Sequence, residues 1–206
     1  MEENMQLVCE SNHLQDYVQE TAEVDFSHPS IERYAGRLFH QGQTDIEKIK
    51  LAFQAVRDTI AHSWDIQGSR VTCRASEVLE YKEGICYAKA NVLAALLRRE
   101  GIPVGFCYQR LMLFDKPEQG YCIHALNAVY IESMDRWIRL DARGNKPGIE
   151  AAFSVDQEQL AFDIDTSADE VDYPTIYVNP HPITLDTLKS HTDAVDMYKH
   201  HLPERL

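Results

Sequence analysis

Apolar positions along the chain follow two rhythms. Between residues 44 and 101 they recur at steps of three and four, the period of helices with a buried face. Between residues 104 and 141 they gather into short runs rich in Val, Ile, Phe and Tyr, which suits strands. The first helical stretch opens on Thr44-Asp45-Ile46-Glu47, a capping box in which each side chain satisfies a backbone donor of the other residue. Ile46, Ile49, Phe53, Val56 and Ile60 then fall on one face. Ser76 to Leu79 predicts a short helix leading into a turn at Gly84. The next helix starts near Ile85 and carries Ala88, Val92, Leu93, Leu96 and Leu97, a face broad enough for deep burial. Gly101 suits the left-handed residue that ends a helix, and Pro103 bars continuation.

Three strands follow. Val104 to Phe114 is the first, and Asp115-Lys116-Pro117-Glu118-Gln119-Gly120 a polar loop after it. His124 to Ile131 is the second and Trp137 to Asp141 the third, with Glu132 to Arg136 as a hairpin between them. Side chains alternate along a strand, so His124 shares a face with Leu126, Ala128 and Tyr130, and Asp141 with Trp137 and Arg139. An even number of loop residues puts His124 and Asp141 on one face, a diagonal step of ~7–8 Å apart between backbones. An odd loop without a bulge puts them on opposite faces. The even loop is the expectation, because a working histidine–carboxylate pair needs it.

The flanks are less sharply written. Residues 1–43 read as an N-terminal helical segment broken at His28-Pro29, since the residue before proline avoids the helical region. Residues 44–150 form the core. Residues 151–206 read as a C-terminal extension packed on it, acidic at Asp163, Asp165, Asp169, Glu170 and Asp172, punctuated by Pro174, Pro180 and Pro182, and ending in a helix from about Leu185 to Lys199. The whole is one α+β domain, with a central cysteine-bearing helix packed on an antiparallel sheet.

A length of 206 residues suits one domain with a real core. The formal net charge of -13 repels phosphate backbones, and with no basic cluster to offset it nucleic acid is not an expected partner. Arg98-Arg99 reads as a pair suited to the negative end of its helix. The start, Met1-Glu2-Glu3-Asn4, lacks a basic segment followed by an apolar run, so no export signal is expected. The longest apolar run, Val92 to Leu97, is far too short to span a bilayer, and no membrane partner is expected. Five cysteines with no Cys-x-x-Cys point to reduced thiols in the cytoplasm.

Among those cysteines Cys86 has a distinctive position. It follows Gly84-Ile85 and sits just inside the start of the central helix, where first-turn N–H groups lack partners and a thiolate is favoured. Cys107 reads as a buried small hydrophobe on its strand, and Cys9, Cys73 and Cys122 carry no chemical context. His124 is the histidine that lies with Cys86 and an acid in the order of a thiol enzyme's nucleophile, base and orienting group. A hydrogen-bonded structural histidine is the competing reading. Asp141 is the orienting acid, or else a strand-end carboxylate pairing with Arg139 or Arg143. His62 follows the capped helix and reads as a partner for that helix's C-terminal dipole. A metal site from Cys122 and His124 with Cys86 or Asp141 is the weakest reading, since no further ligand spacing supports it.

Gly84-Ile85-Cys86-Tyr87-Ala88-Lys89-Ala90, then Leu96-Leu97-Arg98-Arg99-Glu100-Gly101-Ile102-Pro103, His124-Ala125 and Trp137-Ile138-Arg139-Leu140-Asp141 together resemble the transglutaminase-like superfamily of papain-like fold, over about Asp45 to Asn145. Arg57-Asp58-Thr59-Ile60-Ala61-His62-Ser63 and Leu140-Asp141-Ala142-Arg143-Gly144-Asn145 are similar to a bacterial branch of it. The resemblance implies a catalytic triad of Cys86, His124 and Asp141, and thiol acyl transfer on peptide or protein amide bonds through a thioester. Water as acceptor gives an amidase or protease, an amine a transamidase. It implies no cofactor. Many members hold the oxyanion with a tryptophan upstream of the cysteine; Trp64 is the only upstream tryptophan, and a core position is its competing reading. The glutamine that papain-type enzymes place shortly before the cysteine is absent from Glu80-Tyr81-Lys82-Glu83. Animal members need calcium, but the acidic segment from Asp163 to Asp172 lacks the glycine and spacing of an EF-hand loop, so no metal is expected. The alternative function is a non-catalytic domain of the same fold that binds a protein partner. The sequence does not fix the oligomeric state.

Overall fold

The computed structural model of the chain describes residues 5–206; residues 1–4, the start of the N-terminal segment, lie outside them. Along the chain run strand β1 (Val8–Cys9), helices α1 (Pro29–Leu38) and α2 (Asp45–Thr59), strand β2 (Ala61–His62), helix α3 (Ala75–Tyr81), strand β3 (Glu83–Gly84) and helix α4 (Cys86–Arg99). Strands β4 (Val104–Met112), β5 (Tyr121–Ile131), β6 (Arg136–Leu140), β7 (Val171–Asp172) and β8 (Thr175–Ile176) follow, and helices α5 (Pro182–Ser190) and α6 (Ala194–His200) close the chain.

Helix α4 is the hub. Every residue in it except Arg99 is buried, as expected of a helix apolar nearly all round. Its Ala-rich surface lets α1, α2 and α3 pack close on one side and the sheet on the other. The capping box at Thr44 forms: the Thr44 hydroxyl accepts from the Glu47 N–H, and Glu47 Oε2 accepts from the Thr44 N–H at 2.8 Å. Gly101 takes φ +77°, the left-handed turn that ends α4.

The main sheet has the order β6-β5-β4-β7, antiparallel throughout. Between β5 and β6 the pairing Ile131↔Arg136 leaves four loop residues, Glu132 to Asp135. Arg136 belongs to β6 rather than to the five-residue hairpin Glu132 to Arg136 read from sequence, so the loop is even and His124 and Asp141 share a face, as a histidine–carboxylate pair needs. Strand β5 begins at Tyr121, three residues earlier than its apolar run suggested. Strand β4 stops at Met112 because Phe114 and Asp115 turn left-handed, with φ of 60° and 54°.

The flanks differ more from expectation. Among the described residues up to 40, only a short 3-10 helix (Leu14–Val18) and α1 are helical, and β1 pairs in parallel with β8. The single last helix is two, because Asp193 accepts the N–H groups of Val195 and Asp196 and starts a new one. The C-terminal extension also supplies the edge strand β7. Arg98 is no surface dipole partner. It is buried and ties three segments together, donating to the carbonyls of Val104, Gln19 and Val178.

Candidate active site

Cys86 is the first residue of α4. Ile85 at the N-cap offers no side-chain acceptor, so the first-turn N–H groups are left for another partner. Strand β3 delivers the chain to that point, and Gly84 makes the entry possible. A Cβ there would sit 2.9 Å from Thr72 Oγ1 and 3.1 Å from Ala88 Cβ. On the sheet, Tyr87 donates its hydroxyl proton to the Ile123 carbonyl at 2.8 Å, which fixes α4 against β5 one residue from His124.

His124 and Asp141 are joined: Nε2 of the imidazole lies 2.7 Å from Asp141 Oδ2. Asp141 also accepts the backbone N–H of Arg143 at 3.0 Å and of Ala161 at 3.2 Å. It pairs with neither guanidinium considered for it. Arg139 forks between Glu158 and Asp172, and Arg143 grips Asp65. With Nε2 engaged by Asp141, Nδ1 is the other imidazole nitrogen, and Cys86 lies near enough to this ring to help raise its pKa. Cys86, His124 and Asp141 are 6%, 4% and 1% exposed. Burial alone would pull the His124 pKa down; the Asp141 carboxylate and Cys86 outweigh it and raise it. Burial likewise opposes the Asp141 charge, but His124 and the two backbone N–H groups hold its pKa below the ordinary range.

The other cysteines are set apart. Burial pushes the Cys73 thiol up to about 11 and those of Cys107 and Cys122 up to about 12, and raises Cys9. Cys122 lines the same cleft as Cys86, a placement its sequence context did not signal. Among the described residues, no group of three or more His, Cys, Asp or Glu side chains is placed to hold a metal ion.

A cleft of about 830 Å³ opens over Cys86 and His124. Trp64 is on its wall rather than in the core, stacked on Tyr198 at 4.9 Å and tilted against Phe114 at 5.0 Å. Tyr198 comes from α6 and Phe162, edge-on to His124 at 5.0 Å, from the C-terminal extension. Sequence reading missed both, because nothing local marks a distant segment as a cleft wall. It offered Arg143 as a partner for Asp141 and missed Asp65, which that guanidinium meets at 2.5 and 2.8 Å and with Lys146 holds down to about 2 against the effect of burial. His62 does not cap α2. That place is taken by Lys89 of α4, whose ammonium donates to the carbonyls of Ile60 and Arg57. His62 is buried edge-on to Tyr198, and burial together with the Arg143 charge pushes its pKa well below the usual range.

Comparison with known proteins gives the family and the fold. The model of a family described as the transglutaminase-like superfamily matches residues 32–142. A solved candidate cysteine protease from Cytophaga hutchinsonii is similar in fold at a TM-score of 0.52 and 17% identity, over 65% of this chain and 43% of that one. A structure described as a TGase superposes at a TM-score of 0.41 and 20% identity, over 66% of this chain and 35% of the other. The chain thus spans less than half the length of each of these two structures. No curated protein matches its sequence.

Proposed function

The chain belongs to the transglutaminase-like superfamily, and on that premise we propose that it is a thiol enzyme acting on amide bonds of peptides or proteins, with Cys86 as nucleophile, His124 as base and acid, and Asp141 as the group that orients His124. The observation that carries the reading is the 2.7 Å contact of His124 Nε2 with Asp141 Oδ2, which leaves Nδ1 for the thiol at the start of α4.

In the proposed reaction His124 Nδ1 takes the Cys86 proton as Sγ attacks the amide carbonyl carbon. The oxygen becomes an oxyanion, and the first-turn N–H groups of α4, which no N-cap side chain takes up, are the donors proposed for it. His124 then gives its proton to the leaving nitrogen, the C–N bond breaks, and an acyl thioester remains on Cys86. Water or an amine, losing its proton to His124, attacks the thioester and frees the thiol. Water yields hydrolysis and an amine yields transamidation. Both use this one site, and fold does not choose between them. Asp141 stabilises the imidazolium and fixes its tautomer throughout.

The test is mass spectrometry of the protein and of a peptide library incubated with it, with and without an added primary amine. The expected result is an acyl adduct on Cys86 and cleaved, deamidated or amine-modified peptides, all abolished by Cys86→Ala. Products that persist in Cys86→Ala, or none from any peptide, contradict the proposal.

A further inference from the structure

Strand β6 covers only part of β5. Their pairing starts at Asn127↔Leu140, so the stretch of β5 before it, which carries Cys122, Ile123 and His124, keeps an edge that β6 leaves open. Both outward backbone groups of Ile123 on that edge are nevertheless taken. Tyr87, the residue after Cys86, donates its hydroxyl proton to the Ile123 carbonyl at 2.8 Å. The Ile123 N–H donates to the Pro203 carbonyl, also at 2.8 Å. The N–H and C=O of one strand residue point to the same side. The start of the Cys86 helix and the segment after α6 therefore meet on one open edge, next to His124.

That segment, residues 201–206, forms neither helix nor strand. Its Leu202 side chain lies in the Cys86 cleft, packed on Leu111, Leu113 and Cys122. The next two residues present backbone carbonyls, Pro203 to the Ile123 N–H and Glu204 to Arg110 Nε at 3.1 Å. An aliphatic side chain in a pocket and successive carbonyls on donors of the sheet are how an extended peptide is held on a strand edge: main-chain bonds supply affinity and the pocket supplies selectivity. A charged or amide side chain fits this pocket poorly, because burial among apolar groups strips its water without giving it a partner. Among the described residues, those two are the hydrogen bonds that residues 202–206 make, so a peptide making the same contacts can take their place.

We propose that residues 202–204 occupy the cleft as a bound peptide does, and that the substrate of Cys86 is an extended segment that displaces them, with an aliphatic side chain in the place of Leu202 and the following carbonyl on the Ile123 N–H. The segment after α6 and the substrate compete for one track, and the cleft opens when the first is displaced. That a substrate is turned over there rests on the thiol-enzyme reading above; where the peptide binds does not.

Alkylation of Cys86 by iodoacetamide, followed peptide by peptide on the full chain, tests this without any turnover. Leu202→Asn adds no charge near the thiol but drives the side chain out of its apolar pocket. Cys86 should then react at least about threefold faster than in the unaltered protein, with the buried Cys107 unchanged. A synthetic peptide with the sequence of residues 201–206 should slow Cys86 of the variant saturably, and the same peptide with Asn in the place of its Leu should not. An unchanged Cys86 rate in Leu202→Asn overturns the proposal. So does a faster rate that the peptide does not slow, since the segment would then be a cover and not a peptide mimic. Equal protection by the Asn peptide overturns the aliphatic selectivity and the proposal with it. Should Leu202→Asn lose its circular dichroism, Leu202→Ala is judged by the same outcomes. Because alkylation requires no amide cleavage, protection by the peptide alongside a library that yields no product would remove the thiol-enzyme reading and leave the binding track standing.

Discussion

Asp141→Asn isolates the charge of the histidine–carboxylate pair while nearly preserving shape. The asparagine can keep one acceptor oxygen, but it cannot serve His124, Arg143 N–H and Ala161 N–H together as both carboxylate oxygens do. His124 is left as a buried imidazole without its counter-ion. Removing one partner of a buried pair costs about 3–5 kcal/mol when the other stays charged. The magnitude depends on pH in a defined direction. The His124 pKa is raised in the fold, so the stability it contributes is complete below the unfolded value of about 6.5 and is lost as pH climbs through the folded one. The Asp141 pKa is lowered, so its contribution is present above the unfolded value of about 3.9 and is lost as pH falls. The cost of Asp141→Asn should therefore be largest between pH ~4 and ~6.5 and shrink by about 1.4 kcal/mol per pH unit above that range. Urea unfolding of both proteins across this series is the assay. A cost that stays flat from acid to alkaline pH would refute the ion-pair reasoning.

Two further perturbations probe the frame around the site. Arg98→Met strips donors from the carbonyls of Val104, Gln19 and Val178; at about 1–3 kcal/mol for each buried acceptor left unpaired, it should lower the thermal midpoint more than any exposed arginine substitution, which calorimetry would show. Gly84→Ala forces a Cβ to within 2.9 Å of Thr72 Oγ1 at the entry to α4, so it should cost about 1–3 kcal/mol in urea unfolding and also slow alkylation of Cys86, because the start of the helix must shift.

The central helix, the three long strands and the places of Cys86, His124 and Asp141 on them were legible because local rules govern them: the capping box at Thr44, the apolar period through Leu97 and the Gly101 stop. The shared face of His124 and Asp141 was not, because the hairpin bounds read from sequence count five residues and the even loop was assumed from function. Lys89 replaced His62 as the cap of α2 because a buried lysine between two alanines carries no sequence signal; its place is set by where α2 ends in space. Arg143 and Asp65 are 78 positions apart, and Ala161, Phe162 and Tyr198 reach the cleft from the C-terminal extension, where only tertiary packing decides. The break between α5 and α6 was readable in principle, since Asp193 before an apolar run is an N-cap signal. Residues 1–43 read as a helical segment broken at His28-Pro29, and pairing with β8 draws Val8–Cys9 into a strand instead.

The most direct measurement of the central claim is site-resolved alkylation by iodoacetamide at mildly acidic pH, followed peptide by peptide. If the imidazole and thiol work as a pair, Cys86 is modified ahead of Cys9, Cys73, Cys107 and Cys122, and His124→Ala removes that lead. Equal rates at all five cysteines, or a Cys86 lead that survives His124→Ala, would contradict it.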